Sequence, residues 1–127
     1  MKKVLVVDDE ADIVELVSMI LDEAEVDLLA AYDGQEAPKI VAEQHPDLVL
    51  TDVMMPRLNG SELCDRIKAD PATSDTVVIF MTAHRRSGPC AADGCIYKPF
   101  DNSQMLSLVQ QHLTPPPPNI SLESLAR

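Results

Sequence analysis

Asp8, Asp9 and Asp52 stand at the polar ends of two short apolar runs, residues 4–7 and 48–50. Each run is rich in Val and Leu and polar only where it stops, the pattern of a strand buried on both faces. In an open parallel α/β sheet, ligands bind outside the carboxyl ends of the strands. Two such strands side by side would therefore gather three carboxylates in one pocket. At ~4 Å and an effective dielectric near 20, each like-charged pair costs about 4 kcal/mol. That arrangement calls for a cation, and a donor set of hard oxygens without soft ligands points to Mg²⁺. Thr82 and Lys98 follow two later apolar runs, 77–81 and 95–97. A carboxylate cluster joined by a hydroxyl and an ammonium suits phosphoryl chemistry. A carboxylate attacks, a divalent ion neutralises the phosphoryl oxygens, and the lysine and hydroxyl hold the group in transit.

The elements that must position these residues alternate along the chain. Runs 4–7, 26–31, 48–51, 77–81 and 95–97 read as strands. Residues 11–24 place Ile13, Leu16, Val17, Ile20 and Leu21 at amphipathic helix spacing. Asp33-Gly34 is a turn signal, after which 35–44 reads as a helix with Ile40 and Val41 inward and Pro38 tolerable only in its first turn. A further helix starts at Gly60, which is expected to supply a positive-φ turn into it. Asp101 is placed to cap a last helix carrying Met105, Leu106, Leu108, Val109 and Leu113. Such alternation predicts a parallel sheet with helices on both faces. Prolines 115–118 end the pattern, so the expected organisation is a domain over 1–114 and a proline-rich tail or linker over 115–127.

Composition narrows the function. With 127 residues, 46% hydrophobic and 24% charged, the chain fits one globular domain plus a short appendage. A net charge of −11 argues against non-specific binding of nucleic acid or anionic membrane by the domain itself. No run is long enough to span a bilayer, and the apolar stretch after Lys2 and Lys3 is too short for a signal peptide. Cys64, Cys90 and Cys95 lack metal-ligand spacing, and their odd number suits a reducing cytoplasm; Cys64 reads as a small buried helix residue. The expectation is a cytoplasmic domain with no direct nucleic-acid or membrane partner.

The segments Val4-Leu5-Val6-Val7-Asp8-Asp9-Glu10, Thr51-Asp52-Val53-Met54-Met55-Pro56, Asn59-Gly60, Met81-Thr82-Ala83 and Lys98-Pro99-Phe100 occur in one order, each at a strand end. In this the chain resembles the receiver domain of two-component response regulators, a chemotaxis-regulator-like family. The resemblance implies a flavodoxin-like, doubly wound, five-stranded parallel sheet in the order 2-1-3-4-5, and a relative is among the examples behind the switch-point rule. It implies that Asp52 accepts a phosphoryl group from a histidine kinase or histidine phosphotransfer protein. It further implies that Asp9 and Asp52 bind Mg²⁺ with the Met54 carbonyl, that Asp8 assists through water, and that Lys98 and Thr82 contact the phosphoryl oxygens. Such a domain turns over only its own acyl phosphate. A hydrolase acting on external substrates would want a second acid two positions after the nucleophile, where this chain has Met54. Kinase contact is expected on the first helix, with Ala11, Asp12, Val14, Glu15 and Ser18 as candidates. A downstream protein target or an attached output domain would read the signal, and a weak homodimer is a further expectation.

Taken singly, these residues have plainer readings. Asp8 or Asp9 alone would cap the next helix, Lys98 would be a surface charge, and Thr82 a strand-end hydroxyl. The Met54-Met55 side chains read as packing, and His45 and His112 as surface residues near helix ends. His84, two positions past Thr82, is expected to influence how water reaches the acyl phosphate.

Two departures from the family pattern bear on output. Thr82 and Lys98 are sixteen positions apart (98 − 82) and Gly88-Pro89 lies between them, so the fourth helix is expected to be shortened or missing. Relatives often carry an aromatic three positions before the lysine, where this chain has Cys95. Tyr97 is then either a displaced switch residue or a cover for its strand, the second reading being favoured slightly. The alternative to a phosphorylation switch is a phosphorylation-independent, receiver-like interaction scaffold with an impaired switch.

Overall fold

In the computed structural model, which describes residues 1–55, 57–83 and 92–113, five parallel strands form one sheet. They are β1 (Lys3–Val7), β2 (Asp27–Ala31), β3 (Leu48–Asp52), β4 (Val77–Thr82) and β5 (Gly94–Tyr97), in the spatial order β2-β1-β3-β4-β5. The order reverses direction between β1 and β3, the switch point of a doubly wound α/β sheet. The flavodoxin-like expectation holds in class and in strand order.

The strands form because β1, β3 and β4 are almost wholly buried runs with a face toward each helix layer. Val4, Val6, Leu48, Leu50, Ile79, Met81 and Ile96 point to one side. There they meet Val14, Val17, Ile20 and Leu21 of α1 (Ala11–Leu21) and Met105 and Val109 of α4 (Asn102–Leu113). Leu5, Val7, Val49, Val78 and Phe80 point to the other side, against Ala37 and Val41 of α2 (Glu36–Gln44) and Leu63, Cys64 and Ile67 of α3 (Gly60–Ala69). This alternation of side chains across each strand divides the core into two apolar layers.

Several sequence expectations are corrected. Leu16 is 40% exposed, while Val14 takes the inward position on α1, so Val14 is unavailable as a surface contact. The helix ends at Leu21 and a single 3₁₀ turn, Asp22–Ala24, completes the predicted span. Met54 does not pack: it is 66% exposed, and only Met55 leans on the core. Gly60 has no positive φ. It begins α3 and lies so close to β3 that a Cβ there would sit 2.4 Å from the Asp52 carbonyl oxygen. Its glycine is needed for close backbone approach, a different demand from turn geometry. His112 is half-buried, its Nδ1 2.9 Å from the Leu108 carbonyl, whereas His45 is exposed at the end of α2.

Cys64 is buried in α3 as expected. Asp101 caps α4, accepting from the Gln104 amide at 2.8 Å while its own amide donates to the Gln104 side chain. The expectations about the fourth helix, His84, Gly88-Pro89, Cys90 and the proline-rich tail fall outside the described residues. No helix among the described residues is long and apolar enough to cross a membrane.

Candidate functional site

β1 and β3 are neighbours in register, Val7 opposite Thr51, so Asp8 and Asp52 emerge together at the carboxyl edge of the sheet. One oxygen from each of Asp8, Asp9 and Asp52 lies within 4.8 Å of the others. Asp8 is fully buried, Asp52 nearly so, and Asp9 is exposed. Lys98, one residue past β5, reaches across to this cluster. Its Nζ is 2.9 Å from Asp8 Oδ2 and 3.4 Å from Asp52 Oδ2. The lysine backbone is fixed as well, its N–H donating to the Thr82 carbonyl at 2.8 Å.

Local bonds aim the carboxylates. The Glu10 amide donates to Asp8 Oδ1 at 2.9 Å, which steadies the turn before α1; Asp8 does not cap that helix, whose N-cap is Glu10 with no side-chain cap bond. The Met54 amide donates to Asp52 Oδ1 at 3.3 Å, which bends the β3–α3 loop back over its own strand end. The Thr51 hydroxyl donates to the Asp52 carbonyl at 2.9 Å. The loop closes where the Gly60 amide donates to the Val53 carbonyl at 2.9 Å. At the start of α3, Asn59 and Glu62 form a reciprocal capping box, a device visible in the sequence as Asn59-x-x-Glu62 but not anticipated.

The pocket holds three acids and one ammonium, a surplus of two negative charges when all are ionised (3 − 1 = 2). Burial pushes the Asp8 carboxyl above its ordinary range; the Glu10 amide and the Lys98 ammonium pull it down without offsetting the burial, and Asp52 adds repulsion. Burial also opposes the charge on Lys98, but the Asp8 and Asp52 carboxylates outweigh it and hold the ammonium above the usual lysine value. Both groups therefore retain protons more tightly than in water, Asp8 because burial disfavours its charged form and Lys98 because two carboxylates favour its own. Three carboxylate oxygens form a hard, oxygen-only donor set that suits a small divalent cation such as Mg²⁺. Its double charge would balance the surplus.

The other predicted residues share this edge. Thr82 is buried at the end of β4, one position past Met81, the register partner of Asp52. Tyr97 is the register partner of Thr82, so the two side chains lie on one face of the sheet, and Tyr97 is half-buried there. Cys95 faces the α2–α3 layer. The structure thus brings Asp8, Asp9, Asp52 and Lys98 together, holds Met54 at the same loop, and sets Thr82 and Tyr97 side by side on the adjoining strands.

A parallel sheet of this order with acids at its switch point and a lysine crossing from β5 defines a class of signalling domain. The chain belongs to the response regulator receiver family, whose receiver-domain model matches residues 4–110. Among curated relatives it is 35% identical over 112 residues to the phosphate regulon transcriptional regulatory protein PhoB of Pseudomonas aeruginosa, covering 84% of this chain and 49% of that one. It is 33% identical over 116 residues to the DNA-binding dual master transcriptional regulator RpaA of Synechocystis, covering 87% of this chain and 48% of that one. The chain spans about half the length of these relatives. Among solved structures, the chemotaxis response regulator CheY4 of Vibrio cholerae superposes with a TM-score of 0.81 at 29% identity, covering 89% of this chain and 99% of that one. The chain is therefore a receiver domain of two-component signalling. The expected lack of a nucleic-acid partner finds no support in relatives whose names describe transcriptional regulators.

Proposed function

We propose that Asp52 is the phospho-acceptor of this receiver domain, charged by a phosphohistidine on a histidine kinase or histidine phosphotransfer protein. An Asp52 carboxylate oxygen attacks phosphorus and the P–N bond breaks. The electron pair returns to the imidazole nitrogen, leaving an acyl phosphate on Asp52. Asp8, Asp9, Asp52 and the Met54 carbonyl would hold Mg²⁺, which supplies positive charge opposite the phosphoryl oxygens. Lys98 contributes the second positive charge, released from its contact with Asp52 to meet the new oxygens. The Thr82 hydroxyl, at the neighbouring strand end, would donate a hydrogen bond to the same group. Hydrolysis of its own acyl phosphate is then the only turnover, since Met54 offers no acid for an external leaving group.

The observation that carries this reading is the Lys98 ammonium placed between Asp8 and Asp52, with Asp9 completing the acid cluster. Phosphorylation would bias which partner surface is populated, by as much as its differential contacts allow. The readers would be a downstream protein or an output domain following the receiver, and the DNA-binding transcriptional regulator RpaA makes a DNA-binding output the natural comparison. The scaffold alternative is disfavoured by an intact acid cluster and lysine.

Incubation with Mg²⁺ and acetyl phosphate, followed by intact-mass measurement, tests the proposal. The wild type gains one acid-labile phosphoryl group, and Asp52→Asn gains none. Labelling that survives Asp52→Asn rejects the assignment, and a wild type that takes no label favours the scaffold.

A further inference from the structure

We infer that Asp33 and Arg57 are a positioning pair for the β3–α3 loop, setting how tightly the Asp8–Asp9–Asp52 cluster and the Met54 carbonyl hold a divalent cation. The inference rests on the metal assignment proposed above and adds residues that touch neither metal nor phosphate.

The loop leaves β3 at Asp52 and returns at Gly60. Its base is fixed by the Gly60-to-Val53 bond, but the segment beyond Met54 needs support of another kind. Arg57 sits at φ 73°, the left-handed region, which a non-glycine residue holds only where its surroundings demand it. The partner of its side chain comes from the β2–α2 loop. Arg57 Nη1 donates to Asp33 Oδ2 at 3.0 Å. The other carboxylate oxygen of Asp33 accepts the Gln35 and Glu36 amides at 2.9 and 2.8 Å, so the acid is anchored on its own loop before it meets the arginine. These bonds, led by the Glu36 amide, hold the Asp33 carboxyl below its ordinary range.

Beside the ion pair the two loops touch backbone to backbone. A Cβ on Gly34 would fall 1.9 Å from the Leu58 carbonyl oxygen and 2.5 Å from Leu58 Cβ. Gly34 and Leu58 are both buried where the two loops meet. A loop that carries no site residue thus braces the loop that carries Met54. The Arg57 side chain is 57% exposed, and a pair so exposed contributes little to global stability. Its consequence is geometric, in the manner of outer groups that orient metal ligands.

Isothermal titration with Mg²⁺ alone tests this on the full chain, comparing wild type with Asp33→Asn, Arg57→Gln, the double variant and Arg57→Lys. Asp33→Asn keeps the oxygen that accepts the Gln35 and Glu36 amides and removes only the charge. Each single variant is expected to raise the Mg²⁺ Kd about three- to tenfold. The double variant should be no worse than either single, since the two side chains act as one unit. Arg57→Lys should recover most of the affinity. Melting temperatures should stay within a few degrees of wild type, and phosphoryl uptake at saturating Mg²⁺ should be preserved. Unchanged Kd values in the single variants, or losses that multiply in the double, overturn the inference; if Arg57→Gln fails to fold, Asp33→Asn decides alone. A wild type that binds Mg²⁺ but takes no phosphoryl group rejects the phospho-acceptor reading and leaves the pair to be judged on Kd. A wild type that binds no Mg²⁺ overturns the pair's role.

Discussion

The two ends of the sheet each carry a lysine–aspartate bridge of nearly the same length, with opposite electrostatics. At the carboxyl edge Lys98 meets Asp8 at 2.9 Å, with 14% and 0% of their side chains exposed. At the amino edge Lys68 meets Asp93 at 2.8 Å, with 33% and 40% exposed. Asp93 also accepts the Val78 amide, and Lys68 also donates to the Thr76 carbonyl. Burial works against the Asp93 charge too, but Lys68 and the Val78 amide outweigh it and hold that carboxyl below its usual range. Asp8 goes the other way because its burial is complete and a second acid stands beside it. Distance alone therefore says little about an ion pair. Solvent access and the local ratio of acids to cations decide whether it steadies the fold or keeps a reactive site under electrostatic tension.

The largest test of this contrast is Lys98→Met. Removing the ammonium that bridges these buried acids should cost about 3 kcal/mol at neutral pH without added metal, measured by urea denaturation. Saturating Mg²⁺ should restore part of that loss, because a ligand that binds only the folded state stabilises it. A loss under about 1 kcal/mol would show that the carboxyl edge is no more strained than the amino edge.

Asp8→Asn is the next largest. A carboxyl whose folded pKa lies above its unfolded value favours folding only while protonated, so its ionised form opposes folding above that value. The asparagine variant should match or exceed the wild-type Tm by a few degrees at neutral pH without metal, while losing Mg²⁺ affinity. Calorimetry with and without Mg²⁺ reads both effects, and a marked fall in Tm would mean that the Lys98 bridge outweighs burial.

The smallest effect is at the amino edge. Asp93, whose folded pKa is depressed, contributes stability that is present above its unfolded value of about 4 and lost as pH falls through the folded value. Lys68→Met should remove under about 1 kcal/mol at neutral pH and flatten that acid limb. Equal acid limbs in variant and wild type would detach Lys68 from the effect.

Residues that follow local rules were readable from the sequence. The strands, the acids at their ends, Cys64 and the Asp101 cap each depend on neighbours within one turn or one strand. Lys98 and Thr82 became legible through the spacing of whole motifs. Apart from the local Asn59–Glu62 capping box, what escaped depends on contacts between distant segments. Asp33 and Arg57 are 24 positions apart, and Asp93 and Val78 are 15 apart, with nothing in either neighbourhood to announce the partner. Val14 and Leu16 exchange roles because the apolar stripe of α1 is broader than the face the sheet can cover. Gly60 differs from its sequence expectation for a similar reason, since a glycine demanded by a carbonyl overhead looks the same in sequence as one demanded by φ.

The division of the core into two layers has a further consequence. The turn after Asp8 and Asp9 runs into α1 on one side of the sheet, whereas the loop after Asp52 runs into α3 on the other. Adjacent strand tips thus steer helices on opposite flanks, like two handles on one latch. Any event that draws those tips together or apart is felt on both outer surfaces at once, so one chemical change has two faces on which to be noticed.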